Sequence, residues 1–355
     1  MAVTRPTYVT REEVRAAPDV SWSARADLRI DRAIQDASQR VEGQLHRVFY
    51  NTEATRFWDW PNFQYAYPWR LWLDQWELAD VTVNVPAVTS GGIAIPAEAC
   101  NWEPVNSGPP FNYLELRRDL SFSFGNGPTP QRDIGIAATY GFWTQTARAG
   151  QLAAAVIDTT GTGITVTDGA AAGVGDNILL GTERMLLADK RMVTTGQTQL
   201  TGLATAKDND VTLGVPDGTQ FSPYEVLLLD SERLFVTDVA GNSLTVKRAW
   251  DGTVLAAHTS ATIYAPRQWT VVRGAQGSTA ATHLVGTGIN LAVVPGLVKD
   301  YSLAEALVQL KNEPGAFASS QGSGPSKQGN IGGNLPDLRD QAYAAFGRKA
   351  RQRAA

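Results

Sequence analysis

The sequence predicts an α+β fold: a small helical bundle with a β excursion, plus an inserted all-β domain. Three features carry that expectation. Residues 24–50 place Ile30, Ile34, Ala37, Val41, Leu45 and Val48 at steps of three and four, the period of one helical face. Short alternating runs follow, dense in tryptophan. From residue 148 the composition turns to Gly, Thr, Val, Ala and Asp and repeats itself.

Ahead of the long helix, Thr10 and Glu13 form a capping-box pattern, so residues 11–17 are expected as a short helix stopped near Pro18. Ser23 is placed to cap the long helix. On its polar face, Asp36 precedes Arg40 by four residues, the order that favours a surface ion pair. A stripe this narrow needs cover, and other helices are the expected cover. Residues 55–60, 70–73, 81–85, 113–117 and 134–140 read as strands, with turns at Ser90-Gly91-Gly92 and over 125–130. Trp58, Trp60, Trp69 and Trp72 are candidate subunit-interface residues, because aromatic packing at an interface is commoner than a sugar platform.

The β-rich segment carries two pairs of matching stretches. The stretch around Glu183 recurs 49 residues later around Glu232, and the stretch ending at His258 recurs 25 residues later at His283. Unequal offsets exclude a simple tandem array. Nesting explains them: an inner copy near residues 205–265 sits inside an outer copy that closes near 267–290. That arrangement requires strands near Glu183 to pair with strands near Arg273.

After Pro295, residues 301–312 read as a helix ending before Pro314. Residues 315–336 are Gly-, Ser- and Gln-rich and read as a flexible tether. The last stretch, 337–355, is a short helix with a basic tail. Leu338, Tyr343, Phe346 and Arg348 are its expected anchors on another chain. The domain plan is therefore a discontinuous core (1–147 and 293–314), an inserted β domain (148–292), a linker and a docking helix.

No catalytic, cofactor or metal constellation stands out. His46, His258 and His283 lack metal-ligand spacing. The repeat-equivalent positions of His258 and His283 argue for a structural hydrogen bond. Glu183-Arg184 and Glu232-Arg233 read as local hairpin ion pairs rather than paired catalytic acids. Cys100 is single, so there is no internal disulfide framework. The net charge of −4 argues against coating nucleic acid by charge neutralisation. No apolar run reaches the roughly 18 residues of a membrane span, and residues 1–17 lack the apolar core of a signal peptide.

The order of segments nevertheless resembles a known family. A short helix, a long helix ending EGQLHRVFY, then TRFWDW, RLWLDQWELADVTV, PPFNYLELR and IGIAATYGFW are similar to the head-to-tail adaptor proteins of tailed bacteriophages. Gly141-Phe142-Trp143 matches the family's last strand end, and residues 301–312 its closing helix. The resemblance covers about residues 8–145 and 293–313 and rests on order rather than on a diagnostic residue. It implies a virion protein of the neck, made in the host cytoplasm. It further implies a homo-oligomeric ring, dodecameric in the family, seated under the portal protein. Such a ring would extend the channel for passing double-stranded DNA and present a platform to head-closure or tail-terminator proteins. No cofactor, membrane or enzymatic activity is implied. The alternative is a virion surface protein that binds host carbohydrate or receptor through the tryptophans and the β insertion; a hydrolase is a more distant third.

Overall fold

The structure, a computed structural model, describes residues 3–17, 26–62, 67–142, 145–312, 320–321, 328–329 and 335–348. Helix α1 (Arg11–Ala16) opens with both arms of the capping box: Thr10 Oγ1 accepts the Glu13 amide at 3.2 Å, and Glu13 accepts the Thr10 amide at 3.0 Å. Helix α2 (Asp27–Leu45) ends at His46, which takes a left-handed conformation. Ile30, Ile34, Ala37, Val41 and Leu45 are all fully buried, while Val48 lies beyond the helix end. Ser23 lies outside the described residues. The expected Asp36–Arg40 pair does not form, because Arg40 reaches Glu305 at 3.4 Å instead.

Two small sheets pack face to face beyond α2. One runs β1 (Thr52–Trp58), β7 (Ile134–Tyr140), β3 (Ala87–Ser90), β4 (Ile93–Ile95). The other runs β2 (Arg70–Trp72), β6 (Tyr113–Leu116), β5 (Cys100–Glu103). Leu71, Leu114, Ile134 and Ile136 fill the space between them. Residues 81–85 are not the expected strand. The Asp80 carboxylate accepts the amides of Thr82, Val83 and Asn84, which curls the chain and leaves Val83 85% exposed.

Most of the remaining β structure is one 11-stranded antiparallel sheet that closes on itself twice. Its spine is the ribbon of β11 (Glu183–Thr198) against β17 (Thr262–Val272). At one end, β10 (Asn177–Leu180), β18 (Gly288–Ala292), β8 (Thr146–Gln151) and β9 (Gly163–Thr165) complete an outer barrel. Closure between β8 and β9 runs through the amides of Ala153 and Thr167. At the other end, β12 (Thr201–Gly202), β13 (Thr212–Gly214), β16 (Ser243–Lys247), β15 (Glu232–Ala240) and β14 (Val226–Leu229) complete an inner barrel.

The two barrels are copies. Ile164, Val166, Ile178, Leu180, Met185 and Leu187 fill the outer core. Leu213, Val215, Leu227, Leu229, Leu234 and Val236, each 49 residues later, fill the inner one. Trp269 and Val271 match Leu244 and Val246 at the shorter offset of 25. Val193 pairs with Ala265, so the inner copy grows from the tip of the outer copy's own β11–β17 hairpin. This is the pairing that nesting requires.

The predicted fold class needs correction. The described residues are mostly antiparallel β-sheet with four α-helices, not a small helical bundle carrying an inserted domain. Helix α2 shares its stripe between two kinds of cover. Ile30, Ile34 and Ala37 pack against Val174, Leu186 and Ala275 of the outer barrel. Ala306 and Leu310 of α3 (Gly296–Asn312) join that same cluster, while Val41 and Leu45 meet α3 and α4 (Leu335–Phe346). Close backbone approaches hold the parts together. A Cβ at Gly175 would lie 2.1 Å from Thr7 Oγ1, and one at Gly277 would lie 2.0 Å from the Glu53 carbonyl. Of the expected linker, Ser320–Gln321 and Gln328–Gly329 pair as β19 and β20, and the remainder lies almost wholly outside the described residues.

Because the two barrel cores share no side chain, the inner copy should be dispensable for folding. Replacing residues 194–264 with an Asn-Gly turn, together with Arg267→Leu to remove a guanidinium left without Glu225, is expected to preserve cooperative thermal unfolding by circular dichroism. A chain without a cooperative transition would contradict independent cores.

Candidate interaction surfaces and buried carboxylate centres

Each barrel copy contains one fully buried glutamate at the start of the second strand of a hairpin. Glu183 accepts hydrogen bonds from Arg273 Nε (2.7 Å) and Nη2 (3.0 Å) and from the amides of Gly274 and Ala281, both at 3.0 Å. His283 Nε2 lies 2.8 Å away. Glu232 repeats the arrangement with Arg248 (2.8 and 2.8 Å), the amides of Ala249 and Ala256, and His258 Nε2 at 2.9 Å. His258 also meets Asp230 through Nδ1 at 2.8 Å. Burial alone would raise both carboxyls; the arginine, amide and histidine hydrogen bonds outweigh it and hold each at about 2. Carboxylates this heavily hydrogen-bonded keep no lone pair for a substrate. Their chemistry is that of a staple joining distant strands.

The expected local pairs Glu183–Arg184 and Glu232–Arg233 are therefore replaced by long-range ones. Arg184 instead pairs with Glu53 of β1, and Arg233 with Asp251 at 2.7 Å. Gln276 occupies the position equivalent to Asp251, so in the outer copy this arginine is free to tie the barrel to the sandwich. Repetition of Arg248 and Arg273 at the same offset as the histidines was the available signal for the true partners.

A third charged centre lies where α1 meets both barrels, around a cavity of about 490 Å³. Arg11 binds Asp31 (2.7 Å) and Asp189 (3.0 Å), Arg15 binds Asp251 (2.5 Å) and Asp27, and Lys190 binds Glu12 at 3.1 Å. Asp176 accepts the Gly173 amide at 2.7 Å, yet burial pushes its carboxyl up to about 7, with Glu13 and Glu12 adding to the rise and Lys299 opposing it. No sequence pattern pointed to Asp176, whose surroundings come from three separate elements.

The four tryptophans divide. Trp58 and Trp60 are core side chains, 8% and 3% exposed, on the inner side of the sandwich, so they do not supply an interface. Trp69 and Trp72 are half-buried. Arg118 lies 4.6 Å from the Trp69 ring, and Trp72 packs on Tyr113 at 4.5 Å beside the Arg70–Glu115 pair. The expected docking anchors meet their own chain. Phe346 contacts Phe49 and Phe142 edge to face, and Leu338 and Tyr343 join the same cluster with Tyr8, Val298 and Tyr301. The Arg348 amide donates to the Leu45 carbonyl at 2.9 Å. Lys349, Arg351 and Arg353 of the basic tail lie outside the described residues.

Burial and then Glu98 push the half-buried Cys100 thiol up to about 11, away from thiolate reactivity. Among the described residues no group of His, Cys, Asp and Glu is disposed to hold a metal ion, and no helix is long and apolar enough to cross a membrane. The sequence matches no protein-family model, no curated protein and no solved structure.

Two pH dependences of opposite sign follow. Glu183 and Glu232 ionise far below their ordinary 4.5, so their contribution is complete above that pH and is lost as pH falls towards about 2. Asp176 is displaced upwards from 3.8, so stability falls as pH rises through about 7. Urea-unfolding midpoints across pH should show Glu232→Ala costing about 3–5 kcal/mol at neutral pH, the usual cost of breaking a buried pair. A loss below about 1 kcal/mol, within the range of exposed pairs, would remove the staple role. Asp176→Asn should abolish the decline between mildly acidic and neutral pH; an unchanged decline would place its origin elsewhere.

Proposed function

We propose that this protein is a structural ring subunit of a tailed-phage neck, an adaptor between portal and tail proteins through which DNA passes without sequence-specific contact. The observation that supports the reading is the succession α1, α2, β1 to β7 ending at Tyr140-Gly141-Phe142, and α3 after the barrels, an order that resembles that of the adaptor family. Support also comes from where the charged chemistry goes. The buried carboxylates tie strands, barrels and helices together, as a load-transmitting part requires. The half-buried Trp72, Tyr113 and Arg70 on the outer face of the small sheet have the composition of interface hot spots. Exposed apolar side chains at loop tips, Val83 and Val105 among them, add contact surface of the kind that neighbouring subunits cover.

The test is the assembly state of the full chain, by native mass spectrometry and negative-stain imaging. Closed rings with a central hole are expected. Trimeric spikes, or a monomer at every concentration reached, would overturn the reading.

A further inference from the structure

The two barrels part company at one carboxylate. Asp176 of the outer copy and Glu225 of the inner copy are equivalent positions, 49 residues apart. Their backbones match: the Asp176 carbonyl accepts the Leu187 amide, and the Glu225 carbonyl accepts that of Val236. Glu225 is held by both arms of the Arg267 guanidinium, Nε at 2.9 Å and Nη2 at 3.0 Å. The register that pairs Leu229 with Ile263 and Leu180 with Ile289 puts Val293 where Arg267 stands. Asp176 therefore keeps the place of a guanidinium receptor without the guanidinium.

Asp176 lines the cavity where α1 meets both barrels, together with five other carboxylates and five cations. The other five acids are all matched: Lys190 takes Glu12, Lys299 takes Glu13, Arg11 takes Asp189, and Arg15 joins Asp27 to Asp251. Asp176 has no cation at salt-bridge distance among the described residues. Its Oδ2 accepts the Gly173 amide, and its neighbours in charge are Glu12 and Glu13 of α1 and Lys299 of α3, the last committed to Glu13. The same cavity has an aromatic wall, in which Phe235 stacks on Trp250 at 4.4 Å and Tyr224 meets Phe235 edge-on at 6.0 Å. Their outer-copy equivalents, Gly175, Leu186 and Ala275, are small or aliphatic and lie buried beneath Thr7 and α2. Tyr224 also keeps a left-handed φ of 73°, which a bulky residue adopts only at a cost.

We propose that this cavity binds a small organic cation, a guanidinium, amidinium or primary ammonium group on an apolar, ring-sized body. The cationic end pairs with Asp176 as Arg267 pairs with Glu225, and the body lies against Tyr224, Phe235 and Trp250. The volume of about 490 Å³ is that of a small-molecule site, and the surplus carboxylate selects against an anion. Only ionised Asp176 attracts the cation, and its carboxyl is pushed up to about 7, so binding strengthens as pH rises through that value.

Calorimetric titration of the full chain with three probes that share one ring tests the proposal: benzamidine, a cation; benzamide, neutral; and benzoate, an anion. At mildly alkaline pH benzamidine is expected to bind about tenfold or more tightly than either of the others, and to weaken as pH falls through about 7. Asp176→Asn removes only the charge and should fold at least as stably at neutral pH, yet lose the preference for benzamidine. Trp250→Ala should weaken benzamidine binding and leave its pH dependence in place. Equal affinity for benzamidine and benzamide, an unchanged preference in Asp176→Asn, unchanged affinity in Trp250→Ala or no binding by any probe overturns the proposal. Native mass spectrometry separates the two sources of such a cation: oligomers that benzamidine dissociates would assign the group to a side chain of a neighbouring copy and overturn a free ligand.

Discussion

The structure depends on satisfying two carboxylates buried out of reach of water. A bare carboxylate in such a position would be costly enough to unfold a domain of ordinary stability. Each is instead surrounded by a two-pronged arginine, two backbone amides and an imidazole. The arginine and the amides come from the stretch that closes its barrel. The carboxylate cannot be neutralised until that closing stretch has arrived, so the charge enforces correct closure. The same device appears in both copies, with the residues at the same relative positions.

Nesting follows from hairpin geometry. A hairpin tip is the place where a chain tolerates insertion, because backbone pairing on either side is undisturbed. Here the inserted piece is a copy of its host, and the β11–β17 ribbon carries its pairing from one barrel into the other with a few bulges. Divergence between the copies then became useful. With Gln276 in place of Asp251, Arg184 is released to bind Glu53 and anchors the outer barrel to the sandwich, while Asp251 of the inner copy receives Arg15 from α1.

Much of this was legible in the residues. The Thr10–Glu13 cap, the apolar stripe of α2, strand β7 and the unequal repeat offsets each have a local cause and were read from local spacing. What failed was the identity of partners. Periodicity shows that Ile34 is buried but not that Val174 and Leu186 help to bury it, so it points to a helical bundle where a sheet shares the covering with α3. Glu183 invited pairing with adjacent Arg184, although its partner lies 90 residues away. Trp58 and Trp60 carry the composition of an interface, and only the packing of the second sheet shows them to be core. The alternation over residues 81–85 was overruled by one side chain, Asp80, that offers the backbone a better local partner.

The central claim, that buried carboxylates lock both barrels shut, is tested most directly by native-state hydrogen exchange at the four amides they accept, those of Gly274, Ala281, Ala249 and Ala256. All four lie in loops or short turns that would otherwise exchange quickly. The account predicts that they exchange as slowly as the amides of β11 and β17 and are released only with unfolding of the barrel they close. Exchange at the rate of neighbouring loop amides would contradict it.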